Sequence, residues 1–412
     1  MASDWPVCEL GDFITLQRGF DLPIQKRRLG KVPIISSSGI TGYHDEVKVL
    51  GPGVVTGRYG TIGECFYVEE DFWPLNTTLW VKDFHGNEPQ FAYYLLKTID
   101  FNSCSDKSSV PGVNRNDLHL IEIQKTPLPE QKAIAAVLGA LDDKIELNRR
   151  TNETLEATAK ALFKNWFVDF DPVRAKAEGR QPEGLAPEIA ALFPDGFEDS
   201  ELGEIPRGWE VKPLYDFANY INGAAYRNMD FSIDGSGKPV IKIAELKSGI
   251  TASTKFTNKE LDAKYQISNG DMLFSWSGSP DTSINTFIYV LGDAWLNQHI
   301  FNVVPYNENE KPFIYFMLKH FNPEFIEIAR DKQTTGLGHV TGQDLKRLLF
   351  THPKKPIIEA FYDMTQPFYD RLLLNLLEAQ TISKLRDTLL PKLMSGELRV
   401  RDAEKLVEGA VC

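Results

Sequence analysis

Residues 127–170 read PLPEQKAIAAVLGALDDKIELNRRTNETLEATAKALFKNWFVDF and carry mostly apolar side chains at alternating steps of four and three. The residues at these spacings are Ile134, Leu138, Leu141, Ile145, Asn148, Asn152, Leu155, Ala159, Leu162 and Trp166. This heptad pattern predicts a long helix with one continuous seam. A helix of about 35 to 40 residues would be roughly 55 to 60 Å long at 1.5 Å per residue.

The segment has a counterpart at residues 354–398, displaced by 227 positions, the difference between Asn148 and Asn375. The matches at this displacement include Asp117-Leu118 with Asp344-Leu345, Pro129 with Pro356, Thr154 with Thr381, and Leu162 with Leu389. The second seam contains Phe361, Thr365, Phe368, Leu372, Asn375, Ala379, Ile382, Arg386, Leu389 and Leu393. Repetition on this scale predicts pseudo-symmetry. Packing the two helices against each other, antiparallel, is the simplest way to bury both seams.

Polar residues interrupt both seams. Asn148 and Asn375 occupy equivalent positions, and a buried amide there would penalise a slipped helix register. The alternative is that both amides lie at the edge of the seam in water. Arg386, at another seam position, indicates an imperfect or locally open seam.

The remaining chain is arranged around these helices. We predict an α+β fold in which two pseudo-symmetric mixed α/β domains are joined by two long antiparallel coiled-coil helices. The predicted segments are 1–126, the first domain; 127–170, the first long helix; 171–206, a connector; 207–353, the second domain; 354–398, the second long helix; and 399–412, a tail. The connector, rich in Pro, Gly and acids, reads as ordered to loose, with a helical patch near residues 187–192.

Local patterns within the two domains also correspond. Short strands are predicted at residues 32–36 and 53–56, and a short apolar helix at residues 91–99. The second domain repeats this order at residues 238–243, 269–276 and 313–321. The dipeptide Leu75-Asn76 is matched with Leu296-Asn297.

Composition restricts the class of protein. A chain of 412 residues with 42% hydrophobic and 25% charged residues fits two globular domains, and no apolar run approaches the roughly 18 residues needed to cross a bilayer. The first ten residues lack a secretory signal, so we expect a cytoplasmic chain. The net charge of −12 argues against a nucleic-acid partner, but the acids concentrate in residues 183–204 and 402–408. Basic clusters remain at residues 26–28 and 346–347.

The sequence does not contain a recognisable catalytic motif. It lacks a phosphate-binding loop of the Walker type, a convincing dinucleotide fingerprint and a Gly-x-Ser-x-Gly elbow. The triplet Glu46-Val47-Lys48 resembles half of a nuclease motif but lacks an upstream Pro-Asp. The four cysteines, at positions 8, 65, 104 and 412, are scattered, which indicates neither a disulfide framework nor a metal site. We therefore expect a non-catalytic protein without a metal.

Polar loops in both domains carry side chains suited to base edges and phosphates. The candidates for DNA contact are Ser37, Arg58, Tyr59, Lys107, Asn114 and Arg115 in the first domain, and Arg227, Trp276, Lys332, Gln333, Thr335 and His339 in the second. Each loop also has a structural explanation, because Ser-rich turns cap helices and Gly-rich turns reverse the chain.

Three stretches of the first long helix resemble a known family. Residues 127–134 (PLPEQKAI), 141–148 (LDDKIELN) and 165–170 (NWFVDF) resemble the central conserved region of the specificity subunit of type I restriction-modification enzymes. Residues 390–398 (LPKLMSGEL) are similar to the end of the second conserved region of that family. The resemblance covers essentially the whole chain. The start of the second region departs from it, with Lys354-Lys355-Pro356 in place of Pro-Glu-Gln.

The resemblance implies that each domain is a target recognition domain that reads half of a bipartite sequence in double-stranded DNA. It implies two methyltransferase subunits, which use S-adenosylmethionine to methylate adenine, and leaves open two ATP- and magnesium-dependent motor-nuclease subunits. This chain itself would hold no cofactor. The competing interpretation is a non-catalytic, two-headed protein-interaction scaffold that does not read DNA, which the acidic charge and the long coiled coil also suit.

Overall fold

The computed structural model describes residues 5–104, 112–333 and 336–411. The chain forms two compact units, one of Met1–Leu147 with Thr381–Cys412 and the other of Asn148–Gln380. The division falls within both long helices, so each unit contains one α/β domain and a part of each helix. The finer segment boundaries given above stay predictions.

The two long helices are Leu128–Phe167 and Lys355–Met394, each of 40 residues, which confirms the length predicted from the heptad pattern. All predicted seam residues are buried or half-buried. Within the second unit the helices run antiparallel, because Asn152 contacts Leu372 whereas Phe163 packs on Phe361. None of the helices in the described residues is long and apolar enough to cross a membrane.

The first unit contains two main sheets. A four-stranded sheet has the order Thr15–Arg18, Thr78–Asp83, Gly53–Gly57, Cys65–Val68, and a three-stranded sheet has the order Gly39–His44, Val32–Ser36, Trp73–Pro74. Val7–Glu9 pairs with Glu122–Gln124. The α-helices outside the seam are Leu10–Phe13, Pro89–Lys97, Arg115–His119 and Val400–Val411, and the 3-10 turns are Ile24–Lys26 and Phe101–Cys104.

The second unit repeats this topology. Its first sheet has the order Ala218–Asn222, Ile300–Pro305, Met272–Ser275, Asn285–Ile288, and its second has the order Phe256–Thr257, Lys238–Ile241, Ala294–Leu296, Gln266–Ile267. The two-stranded pairs are Glu210–Pro213 with Leu349–His352, and Ser277–Gly278 with Gly338–His339. The helices are Ile243–Ser248, Pro280–Ser283, Lys311–His320, Asn322–Asp331 and Gly342–Arg347, with 3-10 turns at Leu214–Phe217, Asn228–Asp230, Ala263–Tyr265 and Glu308–Glu310. The matching strand order confirms the predicted duplication.

Strand pairing corrects one sequence match. Ile35 lies beside Pro74 in the first unit, and Ile241 lies beside Leu296 in the second, in parallel pairs. Leu75 therefore corresponds to Asn297, one residue away from the match suggested by the shared Leu-Asn dipeptide. The backbone hydrogen bonds agree, because the Leu75 and Asn297 N–H groups donate to Ile35 and Ile241.

In both units a glycine packs closely against the backbone of this equivalent residue, Leu75 in the first unit and Asn297 in the second. A Cβ added to Gly19 would lie 2.1 Å from the carbonyl oxygen of Leu75, and one added to Gly223 would lie 2.2 Å from that of Asn297. Both glycines are therefore required by close backbone approach rather than by a turn conformation. The sequence analysis did not identify either of them.

The connector lies at the ordered end of the predicted range from ordered to loose. It forms the helices Asp171–Ala177 and Pro187–Ala190 and the hairpin Phe197–Ser200 with Gly203–Pro206. Its apolar side chains Val173, Phe193 and Ile205 are buried in the main core of the second unit. A few spaced apolar residues thus anchor a segment that is rich in Pro, Gly and acids.

Both seam asparagines are buried, Asn148 being 3% exposed and Asn375 1% exposed. The Asn148 amide donates to Glu378 Oε2 at 2.8 Å, and the Asn375 amide donates to Asn152 Oδ1 at 2.8 Å. The alternative of a water-exposed seam edge is therefore wrong for these two residues. Their role in fixing the register stays a prediction.

Arg386 closes the seam of the first unit instead of opening it. Its guanidinium pairs with Asp142 at 2.5 Å and with Asp387 at 2.7 Å. The other oxygen of Asp142 accepts a hydrogen bond of 2.7 Å from the Tyr94 hydroxyl. The alternative of a locally open seam is wrong, because a carboxylate on the facing helix compensates the half-buried cation, and the seam is imperfect only in containing this ion pair.

Replacing Arg386 by Met leaves Asp142, 27% exposed, without its cation on the facing helix. Such a loss costs about 1 to 3 kcal/mol, and we expect the unfolding midpoint of the first unit to fall by roughly 2 to 12 °C in calorimetry of the full chain. Lys384→Met, at an exposed position of the same helix, is the control. The double variant Asp142→Asn with Arg386→Met should recover part of the loss, and equal midpoints for the single and double variants would contradict this account.

Candidate nucleic-acid interface

In the first unit, Arg58 and Tyr59 directly follow the buried strand Gly53–Gly57. The chain returns to this point at Val113, whose N–H donates to the Arg58 carbonyl oxygen at 3.1 Å, while Gly112 forms a bridge with Tyr59. Ser37 lies beside them, because a Cβ built on Gly57 would be 3.3 Å from the Ser37 Cβ. The fold thus brings together three candidates from two parts of the sequence, and we call this site the first junction.

The Arg58 side chain is held by two contacts at the first junction. Its guanidinium carbon lies 4.5 Å from the centroid of the Tyr59 ring, and its Nε donates to the Val113 carbonyl oxygen at 3.4 Å. The residue is half-exposed. These two contacts hold the charged guanidinium of Arg58 at a place that is partly accessible to solvent.

Asn114 has a structural role next to the junction. Its side-chain oxygen accepts a hydrogen bond of 3.0 Å from the Asn116 N–H and caps the helix Arg115–His119. Burial and the charge of Arg115 lower the pKa of His119, whose Nε2 accepts a hydrogen bond from the Leu16 N–H at 2.9 Å. Arg115 itself is exposed. Lys107 lies outside the described residues.

The second unit builds the same junction with other side chains. Trp276 directly follows the strand Met272–Ser275, the Val340 N–H donates to the Trp276 carbonyl oxygen at 2.8 Å, and Ser277 pairs with His339. Trp276 therefore corresponds to Arg58. Val340 corresponds to Val113 with the displacement of 227 positions found in the sequence. We call this site the second junction.

An aromatic cluster surrounds Trp276. Its Nε1 donates to Asn222 Oδ1 at 3.1 Å, and its ring centroid lies 5.5 Å from that of His299 and 6.0 Å from that of His339. Burial and the neighbouring His339 lower the pKa of His299. His299 is not among the candidates predicted from the sequence. The only feature that could have pointed to it is its position three residues after Leu296, which ends a strand.

Lys332 is engaged in a structural ion pair. Its ammonium group pairs with Asp344, which is 5% exposed and accepts hydrogen bonds from the N–H and hydroxyl groups of Thr341 at the start of the helix Gly342–Arg347. Although burial alone would raise it, hydrogen bonds from Lys332 and Thr341 bring the pKa of Asp344 below its usual 3.8. Contact of Lys332 with DNA stays a prediction.

The remaining candidates are less connected. Gln333 and Arg227 are exposed, and the Arg227 N–H donates to Asp230 at 2.8 Å. Thr335 lies outside the described residues. The cluster at residues 26–28 is partly neutralised, because Arg28 pairs with Asp45 at 2.8 Å.

A metal or redox site is not indicated in the part of the chain that the structure describes. No group of three or more His, Cys, Asp or Glu side chains there is placed to hold a metal ion. Burial raises the pKa of the Cys65 thiol to about 11, which keeps it protonated.

The duplicated fold agrees with the comparisons with known proteins. The model of the family described as "Type I restriction modification DNA specificity domain" matches residues 2–157 and 206–381. These ranges make up most of the chain, and the chain belongs to this family.

Individual relatives carry the same designation. The MjaIX specificity subunit of a type I restriction enzyme from Methanocaldococcus jannaschii is 29% identical over 325 residues, which are 77% of this chain and 71% of that protein. The HindI specificity subunit from Haemophilus influenzae is 27% identical over 358 residues, covering 75% of this chain and 77% of that protein.

A solved structure supports the fold. The crystal structure of the S subunit of a type I restriction-modification system from M. genitalium aligns with a TM-score of 0.56, at 15% identity, over 95% of this chain and 96% of that one. At this identity the likeness concerns the fold alone, and it agrees with the predicted architecture.

Replacing Lys332 by Met should destabilise the second unit in a pH-dependent way. A carboxylate with a lowered folded-state pKa stabilises the fold above its unfolded-state pKa, and this stabilisation is lost as the pH falls through the folded-state pKa. The variant should therefore have a lower urea midpoint than the wild type at pH 7, and the difference should shrink below about pH 4. Lys255→Met, at an exposed position of the same unit, is the control. A deficit that is the same at pH 7 and pH 3 would show that Asp344 is not its cause.

Proposed function

We propose that this chain is the DNA-recognition component of a type I restriction-modification complex in the cytoplasm. Each unit reads one half of a bipartite target in double-stranded DNA, and the paired long helices set the unread gap between the halves. The chain selects the DNA sequence and orients the partner subunits on it, and these partner subunits carry out the chemical steps.

One observation carries this proposal. The same junction, at which a loop returns to the end of a buried strand, is built twice with the same backbone hydrogen bond and with different side chains, Arg58 in one unit and Trp276 in the other. A duplicated framework with divergent exposed residues suits a protein that reads two different half-sites. A scaffold that binds two copies of one partner would instead be expected to repeat the side chains as well.

The partners follow from the same proposal. Two methyltransferase subunits bind this chain and transfer a methyl group from S-adenosylmethionine to an adenine in each half-site. Reaching that atom requires the base to leave the helical stack, which is the task of the methyltransferase pocket. Where restriction occurs, two motor-nuclease subunits that use ATP and magnesium join the complex and cleave the DNA.

The decisive experiment is to co-express the chain with its cognate methyltransferase subunit in a host without DNA methylation and to map N6-methyladenine over the genome. We expect one motif with two defined halves around a gap of fixed length. Subunits that co-purify without methylating DNA would overturn the proposal and favour the two-headed scaffold.

Lengthening both helices should lengthen only the gap. We expect one extra heptad after Leu147 together with one after Gln380 to keep the seam in phase and to widen the gap in the motif by at most about three base pairs, because seven residues add about 10 Å. Both half-sites should remain as in the wild type. The control carries the heptad in one helix only and should lose methylation, because its seam positions no longer match. An altered half-site with an unchanged gap would contradict the assignment of the gap to the helices.

A further inference from the structure

The Arg58 guanidinium at the first junction is arranged differently from those of Arg18 and Arg28 in the same unit. Arg18 pairs with Asp21 at 3.6 Å and Arg28 pairs with Asp45 at 2.8 Å. Arg58 pairs with no carboxylate among the described residues, and its only polar side-chain contact there is the Nε hydrogen bond to Val113. Within residues 5–104, 112–333 and 336–411, its two terminal nitrogens have no hydrogen-bond or ion-pair partner.

The contacts that hold Arg58 also restrict its movement. The guanidinium carbon lies over the Tyr59 ring, and the Nε hydrogen bond ties the group to the Val113 carbonyl oxygen. What remains is a planar edge with two parallel N–H donors, which matches a pair of acceptors. Because the side chain is already ordered, less conformational entropy is lost on binding.

Two parts of DNA present paired acceptors, namely the phosphate oxygens and the O6 and N7 atoms of guanine in the major groove. Phosphates are the same in every half-site, so a phosphate contact would be expected at the equivalent place in both units. The second junction has Trp276 there, with its Nε1 directed to Asn222. A difference between the units at equivalent positions is expected of a contact that reads sequence.

We propose that Arg58 reads a guanine in the half-site bound by the first unit. Trp276, which lacks a fork of donors, does not read guanine at the equivalent place. This inference rests on the proposed function, but it makes a separate claim: one G·C pair, in one half-site only, depends on one side chain.

The test compares methylation motifs of variants in the full chain with its methyltransferase subunit. Arg58→Lys keeps the charge and removes the fork, and Arg58→Gln supplies the donor and acceptor pair that suits adenine. Arg399→Lys is the matched control, because this guanidinium also stacks on an aromatic ring of the first unit, Trp5 at 5.7 Å, away from the junction. Thermal unfolding of each variant checks its fold.

The wild-type motif should contain a G·C pair in at least one half-site. With Arg58→Lys, discrimination at a single G·C pair should fall roughly 5- to 150-fold, while the other half-site and the gap are unchanged. Arg58→Gln should shift that position towards A·T, and Arg399→Lys should leave the motif as it is.

Three results would overturn the inference. They are a wild-type motif without any G·C pair, an unchanged preference in both Arg58 variants, and a uniform loss of methylation at all targets with the motif preserved, which would indicate a phosphate contact. The first of these needs no variant and so does not depend on variant folding. Failure of the proposed function is distinguishable, because the wild-type chain would then direct no bipartite motif at all.

Discussion

The structure depends on the burial of two long helical seams that neither helix could bury alone. Both helices have 40 residues, and their seam positions are buried or half-buried along the entire length. Polar groups within the seams are paired across them: Asn375 with Asn152 in the second unit, and Arg386 with Asp142 in the first. We expect a register shift to separate these polar groups from their partners, so the pairs that make polar residues acceptable in the seam should also oppose slippage of one helix along the other.

Polar contacts also attach each α/β domain to the long helices of its unit. In the first unit the Tyr94 hydroxyl donates to Asp142, and in the second the Tyr315 hydroxyl donates to Glu156, which also pairs with Lys319. In both cases a short apolar helix of the domain meets a carboxylate of the first long helix. The orientation of each domain on its helices is therefore set by buried hydrogen bonds as well as by apolar packing.

Duplication followed by divergence explains the distribution of the candidate functional residues. The strand order, the close approach at Gly19 and Gly223, and the hydrogen bonds of Val113 and Val340 are common to both units. The exposed side chains that this framework presents are different. The two units thus share a framework and differ in the side chains at one place, which is the arrangement that the proposed reading of two different half-sites requires.

The sequence alone determined the heptad seams, the duplication, the strands near residues 32–36 and 53–57, and the family, because these depend on periodicity and on local residue patterns. It did not determine that His299 lies against Trp276, that Lys332 is paired with Asp344, or that Leu75 corresponds to Asn297. Nor did it determine where the connector is anchored or which residue of the facing helix pairs with Arg386, because both depend on residues distant in the chain. Contacts between segments far apart in sequence, and the compensation of a buried charge by a facing helix, arise only when the chain has folded, and the tertiary structure alone decided them.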